Sequence, residues 1–352
     1  DVAGLLSAPA GVHEGILSTA GPGAPPSVSV TRPAGASERA TGPSSPADSY
    51  TTRCRDSPTK RVPLSETDRT GGRMSVIVST ADNFSDRNGS LELVLRAFEN
   101  QRSAEFEIVI VDDGSVDETE AFLREYRDRA RLDVRLVRFE ENTGNRSKAR
   151  NRGVEAATGE LLLFVDDDTV PLSDTAIERL RRLYSPGSFL CGAKRRWTDT
   201  DWERAAYERA VREGDADWLR EHSWVPKGIS RRRGRRSLWE VTHLTNFGLV
   251  SKRDFLDVGG FDEEAFSQWG REDIDLMARL YLSGCSFVSL YDQLSVLHLN
   301  HPLKPDDRAS RESAFQEYTR KEREEYGYEF DLDRLYGVTE GDDERVLRTV
   351  SE

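Results

Sequence analysis

Three consecutive aspartates at 166–168 follow the apolar run LLLFV and are the sharpest sign of chemistry in the chain. Like charges crowded at the end of a buried run repel one another and lose part of their hydration. A hard divalent cation such as Mg²⁺ or Mn²⁺ relieves that repulsion, because both ions prefer carboxylate oxygens and bind diphosphates. The triplet therefore predicts a metal site, although a solvated acidic turn is the plainer interpretation.

Other polar groups follow apolar runs elsewhere in the chain. Asp113 ends the run FEIVIVDD, where a strand followed by an Asp-Gly turn is the plainer interpretation. Glu272 and Asp273 begin a helical pattern, and acidic residues at that position also complement the helix dipole. His298 and His301 lie in SVLHLNH, near the end of the patterned region. None of these groups carries a function alone.

The elements that position these residues alternate between strands and helices. Continuous Val, Ile and Leu runs separated by amphipathic stretches predict an α/β fold: a single domain with a Rossmann-like, mainly parallel central sheet flanked by helices. Ligands of such sheets bind beyond the carboxyl ends of the strands, where the acidic groups lie. Strands are predicted at 75–80, 106–115, 134–141 and 160–168, and helices at 91–101, 119–130, 147–158 and 271–284.

Composition divides the chain into three segments. Residues 1–73 are rich in Ala, Gly, Pro, Ser and Thr, with too little large apolar surface to offset the entropy of ordering. They are predicted to form a disordered, low-complexity N-terminal extension. The patterned region 74–303 is predicted to be the functional domain, and the charged segment 304–352 a helical C-terminal tail.

Charge and cysteine content narrow the functional classes. The formal net charge of −13 argues against general affinity for nucleic acid, whose phosphates require a basic face. Three widely spaced cysteines provide neither a disulfide framework nor a CxxC metal site. The chain has no apolar run long enough to predict a transmembrane segment, and residues 1–20 lack the features of a secretory signal. A cytoplasmic protein is expected, with peripheral membrane contact left open.

The motifs, taken in order, resemble those of family-2 glycosyltransferases of the GT-A fold. SVIVST, VDDGSVDET, ENTGNRSKARNRG and LLLFVDDDTVP are similar to the nucleotide-binding half of that family, here 74–170. NFGLVSKRDFLDVGGFDEEAFSQWGREDIDLMARLYLSG resembles the acceptor half shared by β-1,4-galactosyltransferases and polypeptide N-acetylgalactosaminyltransferases, here within 190–303. The resemblance implies transfer of a sugar from a nucleotide-sugar donor, a UDP-hexose or UDP-N-acetylhexosamine, to a hydroxyl acceptor.

The resemblance also implies a role for individual donor-site residues. Asp113 is similar to the carboxylate that accepts a hydrogen bond from the uracil ring, and Thr80 would lie under the same base. Arg146 and Arg150 resemble residues placed near the base and the phosphates. These four positions are therefore expected to bind the nucleotide.

The aspartate triplet resembles the family's DxD motif, which implies bound Mn²⁺ or Mg²⁺. Asp166 would face the ribose and the metal, Asp168 would ligate the metal, and Asp167 lies between them at the donor. A histidine completes the metal site in the related families. The N-acetylgalactosaminyltransferase spacing favours His298, which we prefer, whereas the galactosyltransferase spacing favours His301.

The WGREDID segment resembles the catalytic region of the acceptor half. Inverting transfer needs a carboxylate that takes the proton from the attacking hydroxyl, and Asp273 matches that position. Glu272 matches a carboxylate that holds a sugar, while Trp269 and Gly270 fit a ring platform and a mobile hinge. Retaining members carry Asn where Asp273 stands, so the resemblance favours inversion.

Two other functions compete with glycosyl transfer. A nucleotidyltransferase should carry a Gly-rich and Lys/Arg-rich loop after the first strand, and TADNFSDRNGS lacks that character. A non-catalytic carbohydrate-binding protein would not need the base, the DxD motif and the histidine together. The acceptor stays open among glycans, lipid-linked sugars, proteins and small metabolites. The arginine-rich run 231–236 is either a solvated loop or a lid over the diphosphate.

Overall fold

Seven strands form the central sheet of the computed structural model, which describes residues 72–103, 105–225, 244–302 and 307–326. The strand order is β3-β2-β1-β4-β8-β6-β9, and β8 runs antiparallel to the other six. The predicted mainly parallel sheet is thereby confirmed. Its strands are β1 Met74–Thr80, β2 Phe106–Asp112, β3 Asp133–Arg138, β4 Leu161–Asp166, β6 Ser188–Cys191, β8 Gly248–Ser251 and β9 Ser286–Ser289.

Alternation along the strands gives the sheet two apolar faces. Val76 and Val78 of β1 belong to one core cluster, whereas Ile77 between them belongs to the other. Because successive side chains of a strand point to opposite faces, an unbroken apolar run requires cover on both sides. Helices supply that cover.

The described helices number eleven in chain order. The first face is covered mainly by α2, α3 and α5, and the second by α4, α9 and α10. The helices are α1 Asn83–Arg87, α2 Ser90–Glu99, α3 Thr119–Arg129, α4 Arg146–Ala156, α5 Ala176–Leu183, α6 Arg204–Glu213, α7 Ala216–Glu221, α8 Leu244–Phe247, α9 Lys252–Asp257, α10 Glu272–Leu282 and α11 Asp307–Glu324. None of these described helices is long and apolar enough to cross a membrane.

A small second sheet brings the aspartate triplet close to the histidines. Its order is β5-β10-β7, with β5 Thr169–Pro171, β7 Lys194–Trp197 and β10 Ser295–His298. β10 pairs antiparallel with β5, and the register sets His298 opposite Thr169. Because Thr169 directly follows Asp168, this pairing brings residues 130 positions apart to one place.

Element boundaries agree with the sequence within a few residues. The predicted helices at 91–101, 119–130, 147–158 and 271–284 correspond to α2, α3, α4 and α10. The third strand was predicted too long, since β3 ends at Arg138 and not at 141. The predicted extension up to residue 71, the run 231–236 and the tail beyond residue 326 lie outside the described residues.

Candidate active site

The nucleotide-side residues meet at the carboxyl ends of β1, β2 and β4. Thr80 pairs with Asp112 in the register, and Asp113 N donates to Thr80 O at 2.8 Å. The buried Asp113 carboxylate accepts from the backbone N of Thr143 at 3.0 Å and from its hydroxyl at 2.8 Å. Thr143 belongs to the loop before α4, so this loop is tied to the end of β2.

Asp167 points back into the protein. Its carboxylate accepts from Thr80 Oγ1 at 2.7 Å and from Asn83 Nδ2 at 2.9 Å, and its side chain is buried. The Thr80 hydroxyl is therefore occupied by a hydrogen bond within the protein. Asp167 thus fixes the end of β1 and the start of α1 against the triplet.

Arg150 joins the aspartate triplet to the WGREDID segment. Its guanidinium lies 3.1 Å from Asp166 Oδ1 and 2.9 Å from Glu272 Oε1. Asn246 Nδ2 also donates to Asp166 Oδ2. Burial raises the pKa of Asp166, Arg150 opposes that rise, and the nearby Asp168 carboxylate adds to it. The aspartate triplet and the WGREDID segment are thus connected through the buried guanidinium of Arg150.

Asp168 and both histidines form a compact group of ligand atoms. His298 Nδ1 lies 3.0 Å from Asp168 Oδ1, and His301 Nε2 lies 3.3 Å from Asp168 Oδ2. One ligand atom from each residue fits within a mutual spacing of 4.8 Å. Burial alone would raise the pKa of Asp168, but His298 and His301 outweigh it and hold that pKa well below its ordinary value. One carboxylate and two imidazoles are a donor set that fits a divalent cation.

Glu272 and Asp273 lie buried in the first turn of α10. Glu272 Oε2 accepts from Gly270 N at 3.0 Å, and Asp273 Oδ1 accepts from Ile274 N at 2.9 Å. The turn before them has φ of 126° at Gly270 and 66° at Arg271, a region that only glycine enters readily. The glycine at 270 therefore allows the sharp entry into α10 that turns both carboxylates inward.

Trp269, which the sequence predicts as a ring platform, is half-buried and contacts two arginines. The guanidinium carbon of Arg146 lies 5.0 Å from the centroid of the Trp269 ring, and that of Arg311 lies 3.8 Å from it. Arg146 comes from α4 and Arg311 from α11. Trp269 is thus held between the nucleotide-binding half and the C-terminal helix.

Arg87, Arg195 and Asn246 are site residues that the sequence did not single out. Arg87 Nε lies 3.4 Å from Asp167 Oδ1 and 3.8 Å from Asp168 Oδ2. Arg87 Nε is therefore ion-paired, whereas Arg195 Nε is buried and lacks a hydrogen-bond partner among the described residues. An unmet buried donor is costly, by about 1–3 kcal/mol, and calls for a partner such as a bound anion. Only Asn246, in the NFGLV motif, had a signal that could have identified it.

Two protein-family models and several known proteins resemble the chain. The model described as glycosyl transferase family 2 matches residues 75–259, and the model described as the N-terminal domain of galactosyltransferase matches residues 243–302. Validoxylamine A glucosyltransferase of Streptomyces hygroscopicus subsp. jinggangensis is 33% identical over 230 residues, which are 60% of this chain and 52% of that protein. Hyaluronan synthase of Pasteurella multocida is 25% identical over 251 residues, 66% of this chain and 25% of that protein.

Solved structures also match the chain. A mannosyltransferase of Pyrobaculum calidifontis, in complex with GDP-Man and Mn²⁺, has a TM-score of 0.48 and 18% identity, over 80% of this chain and 72% of that one. The chain spans about half the length of the validoxylamine A glucosyltransferases it matches. The family-2 model alone accounts for more than half of the 352 residues, in the region that forms the sheet and the aspartate triplet. The chain therefore belongs to glycosyl transferase family 2, as its motifs predicted.

Proposed function

We propose that this protein transfers a hexose or N-acetylhexosamine from a UDP-sugar to a hydroxyl acceptor, with inversion at the anomeric carbon. The observation that carries the proposal is the pair of contacts made by Arg150, at 3.1 Å to Asp166 and 2.9 Å to Glu272. These contacts join the donor motif to the proposed catalytic motif in one buried network. A nucleotide-binding scaffold without transfer would not require that connection.

The donor's base would lie against Asp113 and Thr80. Thr143 bonds to Asp113 on the loop side, so the carboxylate is held in a fixed orientation for the uracil N–H. Thr80 would contribute its carbon surface under the base, because its hydroxyl already donates to Asp167. Arg146 and Arg87 would lie towards the phosphates. Arg87 Nε lies 3.4 Å from Asp167 and 3.8 Å from Asp168, so its positive charge would be close to phosphates bound beside the triplet.

Asp168, His298 and His301 would hold the cation. Two imidazole nitrogens with one carboxylate favour Mn²⁺ over Mg²⁺, since Mg²⁺ takes oxygen ligands and keeps several waters. When bound, the cation would neutralise charge on the departing diphosphate. Asp166 would lie at the edge of this group, oriented by Arg150 and Asn246 towards the ribose.

Asp273 would be the base that takes the proton from the acceptor hydroxyl. Glu272 is already committed to Arg150 and to Gly270 N, so it suits the positioning of a sugar better than proton transfer. Asp273 is buried at the start of the same helix, where its Oδ1 accepts from Ile274 N. General-base catalysis needs a carboxylate close to the attacking hydroxyl, and a buried carboxylate at the start of α10 suits that role.

For the acceptor and the cellular compartment, the proposal names only broad classes. The acceptor is a glycan, a lipid-linked sugar or a small metabolite. The matched glucosyltransferase is named for validoxylamine A, which supports a small molecule. Cys191 and Cys285 are buried free thiols, which suits a reducing compartment such as the cytoplasm. Peripheral contact with a membrane would place the protein beside a lipid-linked acceptor.

The first test is UDP release from a panel of UDP-sugars, with Mn²⁺ or with EDTA. Wild type should release UDP only with the cation, and Asp168→Ala should lose that turnover. Asp273→Asn should lower transfer by about 100-fold or more while binding of the UDP-sugar, measured by calorimetry, is kept. Asp128→Asn, on the exposed surface of α3, is the matched control and should behave as wild type. Absence of both turnover and calorimetric binding for every UDP-sugar would overturn the proposal.

A further inference from the structure

Trp197 and Trp224 form an aromatic pair beside the histidines of the candidate metal site. The ring centroids of Trp197 and His298 are 4.4 Å apart, and those of Trp197 and Trp224 are 6.4 Å apart with an interplanar angle of 27°. Two backbone hydrogen bonds fix the pair, from Trp197 N to Trp224 O at 2.8 Å and from Trp224 N to Trp197 O at 2.9 Å. These bonds hold the backbone at Trp224 against β7.

Trp224 is unusually open for a tryptophan. It is 46% exposed, and only three other large hydrophobic residues among the described residues are as openly placed. The backbone bridge to Trp197 would form with any side chain at 224, so the bridge does not explain the indole. Ligand sites are commonly lined by aromatic side chains next to a few polar groups, and Trp224 has both Trp197 and the polar site beside it.

Cationic charge lies on the inner side of the pair. The guanidinium carbon of Arg195 is 4.5 Å from the centroid of the Trp197 ring, and Arg195 Nε is a buried donor without a partner among the described residues. Arg195 also interacts electrostatically with Asp168 and Asp273, the proposed metal ligand and the proposed base. Arg195 thus lies between Trp197 of the aromatic pair and the carboxylates of the site.

The shape and chemistry of this surface favour a sugar ring. A pyranose has a flat C–H face that packs on an indole and a rim of hydroxyls that need hydrogen-bond partners. Glu221, His222 and Ser223, which directly precede Trp224 in the sequence, are polar residues of the kind that bind sugar hydroxyls. Trp224 offers a stacking surface for one pyranose ring, and the Arg195 guanidinium would be a hydrogen-bond donor to its hydroxyls.

We propose that Trp224, backed by Trp197, stacks on a pyranose ring of the acceptor, so that the acceptor is a saccharide. This inference rests on the proposed glycosyl transfer and names its acceptor class. The bound ring would present a rim hydroxyl towards Arg195 and Asp273. Acceptors without a ring would lose this surface.

The test compares Trp224→Ala, Trp224→Phe and Leu256→Ala. Leu256 is 57% exposed on α9 and serves as the matched control for loss of an exposed apolar side chain. The probes are methyl pyranosides of glucose, galactose, mannose and their N-acetylhexosamine forms, with ribitol 5-phosphate and octanol as non-ring probes. Binding is measured by saturation-transfer NMR with UDP and Mn²⁺ present, and UDP affinity is measured in each variant by calorimetry.

At least one pyranoside should bind wild type with strongest saturation on its ring C–H protons. Trp224→Ala should weaken that binding about tenfold, whereas Trp224→Phe and Leu256→Ala should stay within about threefold, with UDP affinity unchanged throughout. Equal binding in Trp224→Ala, no pyranoside binding at all, or Trp224-dependent binding of a non-ring probe would overturn the inference. Pyranoside binding at Trp224 in a protein that binds no UDP-sugar would instead overturn the proposed function and leave the saccharide surface standing.

Discussion

His298 and His301 both lie close to Asp168. The sequence left open which of them is the metal ligand, and this geometry suits both. His298 lies 3.0 Å and His301 lies 3.3 Å from the Asp168 carboxylate, so both are close enough to share a cation with it. We expect His298→Ala and His301→Ala each to weaken Mn²⁺ binding by about 100-fold or more, because each would remove a ligand. Calorimetric titration with Mn²⁺ measures this directly.

His222 supplies the control for that experiment. The His222 ring is exposed, stacks on Trp218 with ring centroids 3.9 Å apart, and does not belong to the group of ligand atoms at Asp168, so His222→Ala should bind Mn²⁺ as wild type does. If only one of the two site variants lost affinity, the unaffected histidine would be a structural neighbour of Asp168. That result would show which histidine ligates the metal, and so whether the spacing correctly favoured His298.

The sequence identified those site residues that belong to a recognisable motif. It did not identify residues that reach the site only through the pairing of distant strands. Asp168 and His298 were identified from their sequence context, and the small sheet brings them together. Arg195 stands in KRRW, where no local pattern separates a site arginine from a surface arginine. Its position depends on the pairing of β7 with β10, a contact between residues about a hundred positions apart that spacing alone does not encode.

At the scale of elements, Glu107 anchors three neighbours of β2. Its fully buried carboxylate accepts from Ser75 Oγ on β1 at 2.6 Å, from Arg135 on β3 at 2.8 Å, and from the Thr158 hydroxyl at 2.8 Å. Burial opposes ionisation, but these hydrogen bonds outweigh it and lower the pKa of Glu107 from 4.5 to about 2. The ionised form is therefore the one that stabilises the sheet.

The lowered pKa of Glu107 determines how the effect of Glu107→Gln on stability should depend on pH. A carboxylate whose pKa is lowered by folding contributes stability above pH 4.5, and the contribution disappears as the pH falls towards 2. Urea denaturation should show Glu107→Gln less stable than wild type by about 2 kcal/mol at pH 7, with the difference shrinking below pH 4.5. Glu105→Gln, one residue before β2 and exposed, should show no such trend. A pH-independent difference would mean that packing, and not charge, is lost.

Helix α11 packs on the start of α10 through a buried cation. Lys321 is 3% exposed, and its Nζ lies 2.6 Å from Asp262 Oδ2 and 3.1 Å from Asp275 Oδ1. Lys321→Met would leave the fully buried Asp275 with fewer partners, so we expect a loss of about 3 kcal/mol in unfolding free energy. Arg320→Ala, one residue earlier on the exposed side, should leave stability unchanged. Equal effects of the two variants in urea denaturation would contradict a packed α11.

The secondary structure was readable from periodicity, but the role of α11 was not. Periodic apolar spacing predicted α2, α3, α4 and α10 within a few residues, because each buries one apolar stripe. α11 has a charged sequence without a strong stripe and reads as a surface helix. Its contacts are made by scattered residues: Ala314 and Tyr318 pack on Phe266 and Ile274, and Arg311 lies over Trp269.

Over the whole molecule, charge is distributed unevenly. The chain carries a formal net charge of −13, yet Arg87, Arg146, Arg150 and Arg195 converge on the aspartate triplet. An acidic protein repels an anionic nucleotide sugar at long range, so attraction has to come from local cations in a poorly hydrated site, where charges interact most strongly. The overall charge argued against affinity for nucleic acid, but it gave no hint of this local concentration of arginines.

The limits of the folded unit can be tested by shortening the chain at both ends. All three core clusters lie within residues 72–326, and the third joins Phe266 and Ile274 to Ala314 and Tyr318 of α11. A chain of residues 72–326 should therefore keep the Tm of the full protein within about 2 °C. The family matches end at residue 302, before α11 begins.

A chain of residues 72–302 tests whether the domain ends near 303, as the sequence predicted. It would uncover Phe266 and Ile274, which are 1% and 3% exposed, and would remove Lys321 from Asp275. We expect its Tm to fall by about 10 °C relative to residues 72–326, since the lost contacts are worth a few kcal/mol. Differential scanning calorimetry of the three chains decides the matter. Equal Tm values for 72–302 and 72–326 would make α11 an appendage, whereas the expected fall would extend the catalytic domain through residue 326.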